Sequence, residues 1–128
     1  MWESPGADAP WQEDPPEQRV RLTVTAHAGE DATDITLDGE LDLATVHLLR
    51  RALYDAAWGP ETVRVDVRRA TFMDLPSLRV LLDADRNLAA YGRRLVVIVA
   101  PGRRPRVMTV LSLATGLTVV ERPDGQTP

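Results

Sequence analysis

"VRVDVRRATFMDLPSLRVLL", Val63 to Leu82, changes its period partway along. Val63, Val65 and Val67 alternate as the buried face of a strand does, whereas Leu78, Leu81 and Leu82 are spaced for one side of a helix. The change falls at Asp74-Leu75-Pro76. A helix start exposes unpaired backbone N–H groups that a carboxylate can accept, and proline suits the first turn because its missing N–H is not needed there. A strand therefore runs through a tight turn into a helix predicted over Leu75 to Ala90, with Leu88 and Ala89 continuing its apolar side and Gly92 just past its end. The next stretch, "LVVIVA" from Leu95 to Ala100, is apolar throughout, which suits a central strand covered on both faces. Strand, helix and strand in this order make a crossover between parallel neighbours.

Working outward, "RVRLTVTA" alternates through Val20, Leu22, Val24 and Ala26, and after "HAGEDA" a second alternation follows at Ile35 and Leu37, so the two form a hairpin. "LATVHLLRRALYDAAW" places Val46, Leu49, Leu53 and Ala56 at helical spacing and ends at Gly59-Pro60. A third helix is predicted from Pro105 to Ala114, with Val107, Val110 and Leu111 inward and Gly116 as its stop, followed by "LTVV" as a last strand. The predicted order is β-β-α-β-α-β-α-β, one α/β domain with a mixed sheet spanning 19–121. At 128 residues the chain is long enough for one core and too short for two. Met1 to Gln18 holds four prolines and five acids (Glu3, Asp8, Glu13, Asp14, Glu17) without a base, and its only large apolar residues are Trp2 and Trp11. It is expected to be a disordered tail with the tryptophans incidental to it, and 122–128 to be equally loose.

Composition narrows function by exclusion. The absence of cysteine removes disulfides, thiolate metal sites and thiol nucleophiles, and fits a reducing compartment, so the expected location is the cytoplasm. Every basic residue is arginine, which removes lysine chemistry such as Schiff bases and reads as codon bias of a GC-rich, actinobacterial type of genome. The net charge of −4 originates in the acidic tail; the remainder is near neutral and has no general attraction for nucleic acid or an anionic membrane. No apolar run approaches the roughly 20 residues a membrane span needs. No cofactor or metal is implied: His27 and His47 have no partner at metal-ligand spacing.

Three stretches, "ITLDGELDLAT" (Ile35 to Thr45), "VRVDVRRATFMDLPSLRVLL" and "VMTVLSLATGL" (Val107 to Leu117), resemble the STAS domain, and in particular the stand-alone anti-sigma factor antagonists of bacteria. The resemblance implies a non-enzymatic regulator that binds an anti-sigma factor serine kinase. In that family the loop after a Phe-x-Asp triplet reads Asp-Ser-Ser-Gly or Asp-Ser-Thr-Gly, and its second hydroxyl residue is phosphorylated by the partner, which abolishes binding. Phe72, Met73 and Asp74 match the triplet, but Leu75, Pro76 and Ser77 follow, so that a proline occupies the acceptor position and a serine stands at the family's glycine. The implied partner-binding residues are Asp38, Gly39, Glu40, Asp42, Asp74, Leu75, Pro76, Ser77 and Arg79, with Ser77 as a displaced candidate phosphoacceptor. One residue along a helix turns a side chain by about 100° and lifts it about 1.5 Å, which moves Ser77 away from the family's site. Asp42 and Asp74 also read simply as caps of the first and second helices.

The alternative reading is a scaffold or oligomerisation component of a signalling assembly with no phospho-switch; a homodimer is open under either. Asp85 falls inside the apolar stripe between Leu81 and Leu88 and is expected at an exposed edge, whereas Arg79, Asp83 and Arg86 form a solvated stripe. Arg93, Arg94, Arg103, Arg104 and Arg106 bracket the apolar strand with no interleaved aromatic residue to stack on bases, and read as solvated loop ends.

Overall fold

The computed structural model describes residues 20–109 and 116–128. The expectations for the acidic segment 1–18 and for Val110, Leu111 and the end of the third helix lie outside the described residues. Strand β1 (Leu22–Ala28) pairs antiparallel with β2 (Ala32–Leu41), the predicted hairpin, closed by Gly29 N–H donating to the Ala32 carbonyl at 2.9 Å. Helix α1 (Val46–Ala56) leads to β3 (Thr62–Met73), and α2 (Leu75–Ala90) leads to β4 (Arg94–Val99). Helical residues 106–109 and the short β5 (Val119–Glu121) complete the order. The sheet runs β1-β2-β3-β4-β5, parallel from β2 onward. This is a single α/β domain with a mixed five-stranded sheet, as the period changes predict.

Alternation divides the sheet into two faces. Leu22, Ile35, Leu37, Val63, Val65, Val67, Leu95, Val97 and Val99 join Leu49, Leu53, Leu78, Leu81 and Leu88 of the helices in one core. Met108 is the fully buried residue of the third helical stretch, with Val107, the expected inward residue, only half-buried beside it. The opposite face is charged. Arg64 grips Asp34 through two bonds of 2.6 and 2.9 Å, and Arg68 holds the buried Asp66 through Nη2 at 2.8 Å and Nε at 3.0 Å. Arg68 also donates to the Pro123 carbonyl at 2.6 Å, and Arg122 N–H to Val99 at 2.9 Å, which ties the segment after β5 to the domain.

Strand β3 runs six residues beyond the alternation "TVRVDV", because Arg69, Ala70, Phe72 and Met73 pair with Asp38, Gly39, Glu40 and Leu41 across two register shifts. Such bulges re-aim side chains at strand ends. The extension carries the end of β3 level with the end of β2, and this alignment creates the site described below.

Asp85 is half-buried with no ion-pair partner among the described residues. Desolvation raises its pKa, opposed by neighbouring Arg86. A carboxyl whose folded-state pKa is raised contributes most stability below its unfolded pKa and loses that contribution as pH rises through the folded value. Asp85→Asn should therefore gain stability over the parent at about pH 7 and none at about pH 3, read by urea unfolding at the two pH values. Equal differences at both would mean that the carboxyl is solvated in the fold.

Candidate functional site

The Asp42 and Asp74 loops meet because β2 and β3 are parallel neighbours that end together. Leu41 is in register with Met73, and Asp74 N–H donates to the Leu41 carbonyl at 3.0 Å, one bond past the end of the ladder. At the second loop Asp74 is the N-cap of α2, as predicted: its backbone is extended, and Oδ1 accepts Ser77 N–H at 2.9 Å. Leu75 and Pro76 open the helix, and Pro76 is exposed. A proline at this point forfeits no helical bond, so the turn is well made without a hydroxyl.

Ser77 is a different matter from its neighbours. It is 0% exposed, and its Oγ has no hydrogen-bond partner among the described residues. The sequence offers Ser77 as a displaced phosphoacceptor and as a partner contact, but the structure turns it under the helix, where neither a kinase nor a docking surface reaches it unless the first turn of α2 opens. The shift by one helical position aims the side chain into the core.

The first loop is built differently from the expectation. Asp42 does not cap α1; the cap position is Thr45, whose side chain makes no capping bond. Asp42 instead stabilises the turn ahead of the helix, with Oδ1 accepting Ala44 N–H at 2.9 Å. Thr45 Oγ1 accepts Asp42 N–H at 3.1 Å and donates to the Glu40 carbonyl at 2.6 Å. With Thr45 N–H donating to the Asp42 carbonyl at 3.1 Å, these bonds brace the turn ahead of α1. Asp42 belongs to the site that the resemblance implies, whereas Thr45, three residues on, does not.

Arg21 is the residue that sequence reading missed. From the position just ahead of β1, its Nε and Nη2 donate to Glu40 Oε2 at 3.1 and 2.9 Å, and Nη2 also donates to Asp42. The hydrogen bond to Glu40 is the largest cause holding the guanidinium pKa above its ordinary value, with Asp42 adding to it and desolvation opposing. Arg21 reaches both carboxylates because Leu22 pairs with Gly39, where φ is +127° and an added Cβ would lie 2.1 Å from the Arg21 carbonyl oxygen. Only glycine lets the strands approach so closely. Asp38, by contrast, points to the charged face of the sheet, 3.8 Å from Arg69, and does not join the corner.

What the corner presents is largely apolar: Leu43, Phe72 and Leu75 are exposed beside Pro76, with Arg79 exposed one turn along α2. Among the described residues no cluster of His, Cys, Asp or Glu could hold a metal ion, and no helix is long and apolar enough to cross a membrane. The two loops are short and are joined by the Asp74 N–H to Leu41 carbonyl bond.

A family model described as "Mlab, STAS domain" matches residues 24–121, most of the chain, including the Asp42 and Asp74 loops but not Arg21. The chain belongs to the STAS domain family. Its STAS fold resembles an anti-sigma factor antagonist from Mycobacterium paratuberculosis, with a TM-score of 0.68 and 19% identity over 82% of this chain and 87% of that one. The Bacillus protein SpoIIAA resembles it in two forms: the phosphorylated form at TM-score 0.63 and 21% identity, covering 80% of this chain and 92% of that one, and the unphosphorylated form at 0.62 and 22%, covering 80% and 89%. At these identities the likeness is one of fold. No curated protein matches the sequence. The Asp42 and Asp74 loops carry residues for which the resemblance implies partner binding, and Pro76 is exposed beside the buried Ser77.

Proposed function

We propose that this chain is an anti-sigma factor antagonist-like regulator that acts in the cytoplasm by protein contact, binding an anti-sigma factor serine kinase at the Asp42/Asp74 corner, and that it does so without a phosphorylation switch. The reading is supported by one observation: the corner exposes Leu43, Phe72 and Leu75 and is braced by the Arg21-Glu40-Asp42 cluster, while Pro76, at the position the resemblance implies for the acceptor, is exposed. Large exposed apolar groups gathered on short rigid loops mark interfaces in soluble proteins. The carboxylates at the rim supply orientation more than affinity. No chemistry is assigned to Asp42 or Asp74, whose side chains are occupied as loop and helix caps.

The test is calorimetric titration of the full chain against anti-sigma factor kinases purified from the same organism, with and without ATP. The parent should bind in both conditions. Pro76→Ser should bind without ATP and be released with it, gaining one phosphate by mass spectrometry, because that position is exposed where Ser77 is not. Phe72→Ala should weaken binding roughly tenfold, in the range of an interface anchor. Failure of the parent and of Pro76→Ser to bind any such kinase would remove the proposal. A second reading, a STAS scaffold or oligomerisation component, draws on the same missing acceptor; it predicts capture of other STAS proteins, or of the chain itself, and of no kinase.

A further inference from the structure

All four aromatic residues among those described, Tyr54, Trp58, Phe72 and Tyr91, are exposed, and none contributes to the core. Aromatic side chains bury large areas when they pack inside a domain, so an all-external set is unusual for a soluble fold. Phe72 is accounted for at the corner. The other three gather at the opposite end of the helices, where α1 and α2 end, around a groove of about 870 Å³. Tyr54 is 67% exposed, Trp58 78% and Tyr91 84%, and Tyr54 and Trp58 meet edge to face with ring centroids 6.4 Å apart. Leu53, Val80 and Leu88 lie between them.

The groove is preorganised and carries unmatched positive charge. Arg93 Nη1 donates to the carbonyls of Ala57 and of Gly59, the latter at 2.8 Å, and so grips the backbone on both sides of Trp58. Neither Arg93 nor Arg50, both lining the groove, has a carboxylate partner among the described residues, and Asp83 is its one lining acid. Exposed aromatic rings fixed as ridges are the surface on which proline-rich segments dock, because the polyproline conformation is already extended and loses little entropy on binding.

The chain itself supplies a segment of that chemistry. Residues 1–18 hold Pro5, Pro10, Pro15 and Pro16, two tryptophans, five acids and no base. We infer that this segment docks in the Tyr54-Trp58-Tyr91 groove of its own chain, with the Pro10-Trp11 region on the aromatic ridges and its acids toward Arg50 and Arg93. Reach is sufficient. From Trp11 to Val20 the chain spans up to roughly 30 Å, about twice the ~16 Å length of the 11-residue helix α1 that separates the corner, where β1 begins, from the groove. A tether this short sets an effective concentration on the order of 1 mM, so a contact too weak to survive between separate molecules is populated within one.

The experiment uses the full chain, which has no cysteine, so that Ala9→Cys takes a single nitroxide label beside Pro10-Trp11. Amide signals of residues 54–58 and 84–91 should lose the most intensity by paramagnetic relaxation, and those of 42–45 and 72–75, at the other end of the helices, clearly less. Trp58→Ala, a change at an exposed side chain, should at least halve the effect, and Arg50→Glu should reduce it. Broadening at the corner loops as strong as at the groove, or none beyond the residues adjoining the label, would overturn the inference. In a mixture of nitroxide-labelled chain and isotope-labelled chain without nitroxide, broadening of equal size at the groove would assign the occupant to a second copy and overturn it equally. No step depends on a kinase, so failure here and failure of the corner as a binding site are separate outcomes.

Discussion

In Gly39→Ala, unfolding in urea should show a loss of about 2–4 kcal/mol, the range of a strained backbone combined with a broken strand contact. The added Cβ would lie 2.1 Å from the Arg21 carbonyl oxygen, 2.9 Å from its carbon and 3.1 Å from the Leu22 Cα. All three are backbone atoms, so no rotamer change relieves the clash, and the φ of +127° is one that alanine resists. β1 must move, which stretches the 2.8 Å bond from Glu40 N–H to the Arg21 carbonyl and withdraws the Arg21 guanidinium from Glu40 and Asp42. Gly92→Ala is the control: its φ is +71° with nothing within 4 Å of the added carbon, so it should lose only about 1–2 kcal/mol. Equal losses in the two variants would mean that close approach of β1 and β2 plays no part in holding the corner. If the argument is right, Gly39→Ala also weakens partner binding at temperatures where the domain is still folded, because the loop carrying Leu43 loses its anchor.

The elements legible in the sequence are those in which one face is buried and the other is not. Val63, Val65 and Val67 mark a strand, and Leu78, Leu81 and Leu88 a helix, because burial of a single face imprints its period on the residues that make it. Asp74 as a cap with proline behind it was legible for a similar reason: its effect is complete within one turn. What depends on a neighbouring strand was not. Arg68 to Thr71 contain no alternating apolar face, and they are strand only because β2 offers them bonds. Arg21 could be placed beside Glu40 and Asp42 only through the hairpin register, and the cap of α1 shifted to Thr45 because Asp42 is shared between Ala44 N–H and Arg21. Asp85, which interrupts the apolar stripe of α2, is half-buried, in keeping with a partly covered edge. The side on which Ser77 falls is legible in the same period, since Ser77 stands four residues before Leu81 and eleven before Leu88, on the buried stripe of α2; the displaced-acceptor reading compared it with the family's site and not with that stripe.

Ser77 yields the second large effect, and its sign depends on what replaces it. Its hydroxyl is buried without an acceptor, so Ser77→Ala removes an unsatisfied polar group and adds a better helix former; the domain should be unchanged or up to about 1 kcal/mol more stable. Ser77→Asp places a carboxylate at the same fully buried position. The helix N-terminus offers it up to ~2 kcal/mol of favourable interaction, but the effective desolvation of an unpaired buried charge amounts to several kcal/mol, and the Asp74 carboxylate, which already accepts Ser77 N–H, adds repulsion. A net loss of about 3 kcal/mol or more is expected, with the first turn of α2 opening before the rest of the domain, seen as early amide exchange at Leu78 and Arg79. A phosphoryl group is larger and more highly charged, so it would open the same turn, and negative charge at Ser77 could not toggle a surface that is otherwise intact. Pro76→Asp separates charge from burial: it puts the same charge one residue earlier, at an exposed position near the same helix end, and should leave stability nearly unchanged. If Ser77→Asp proved as stable as Pro76→Asp, the burial of Ser77 would not hold in solution, and a phosphorylation switch at Ser77 would be open to this domain after all.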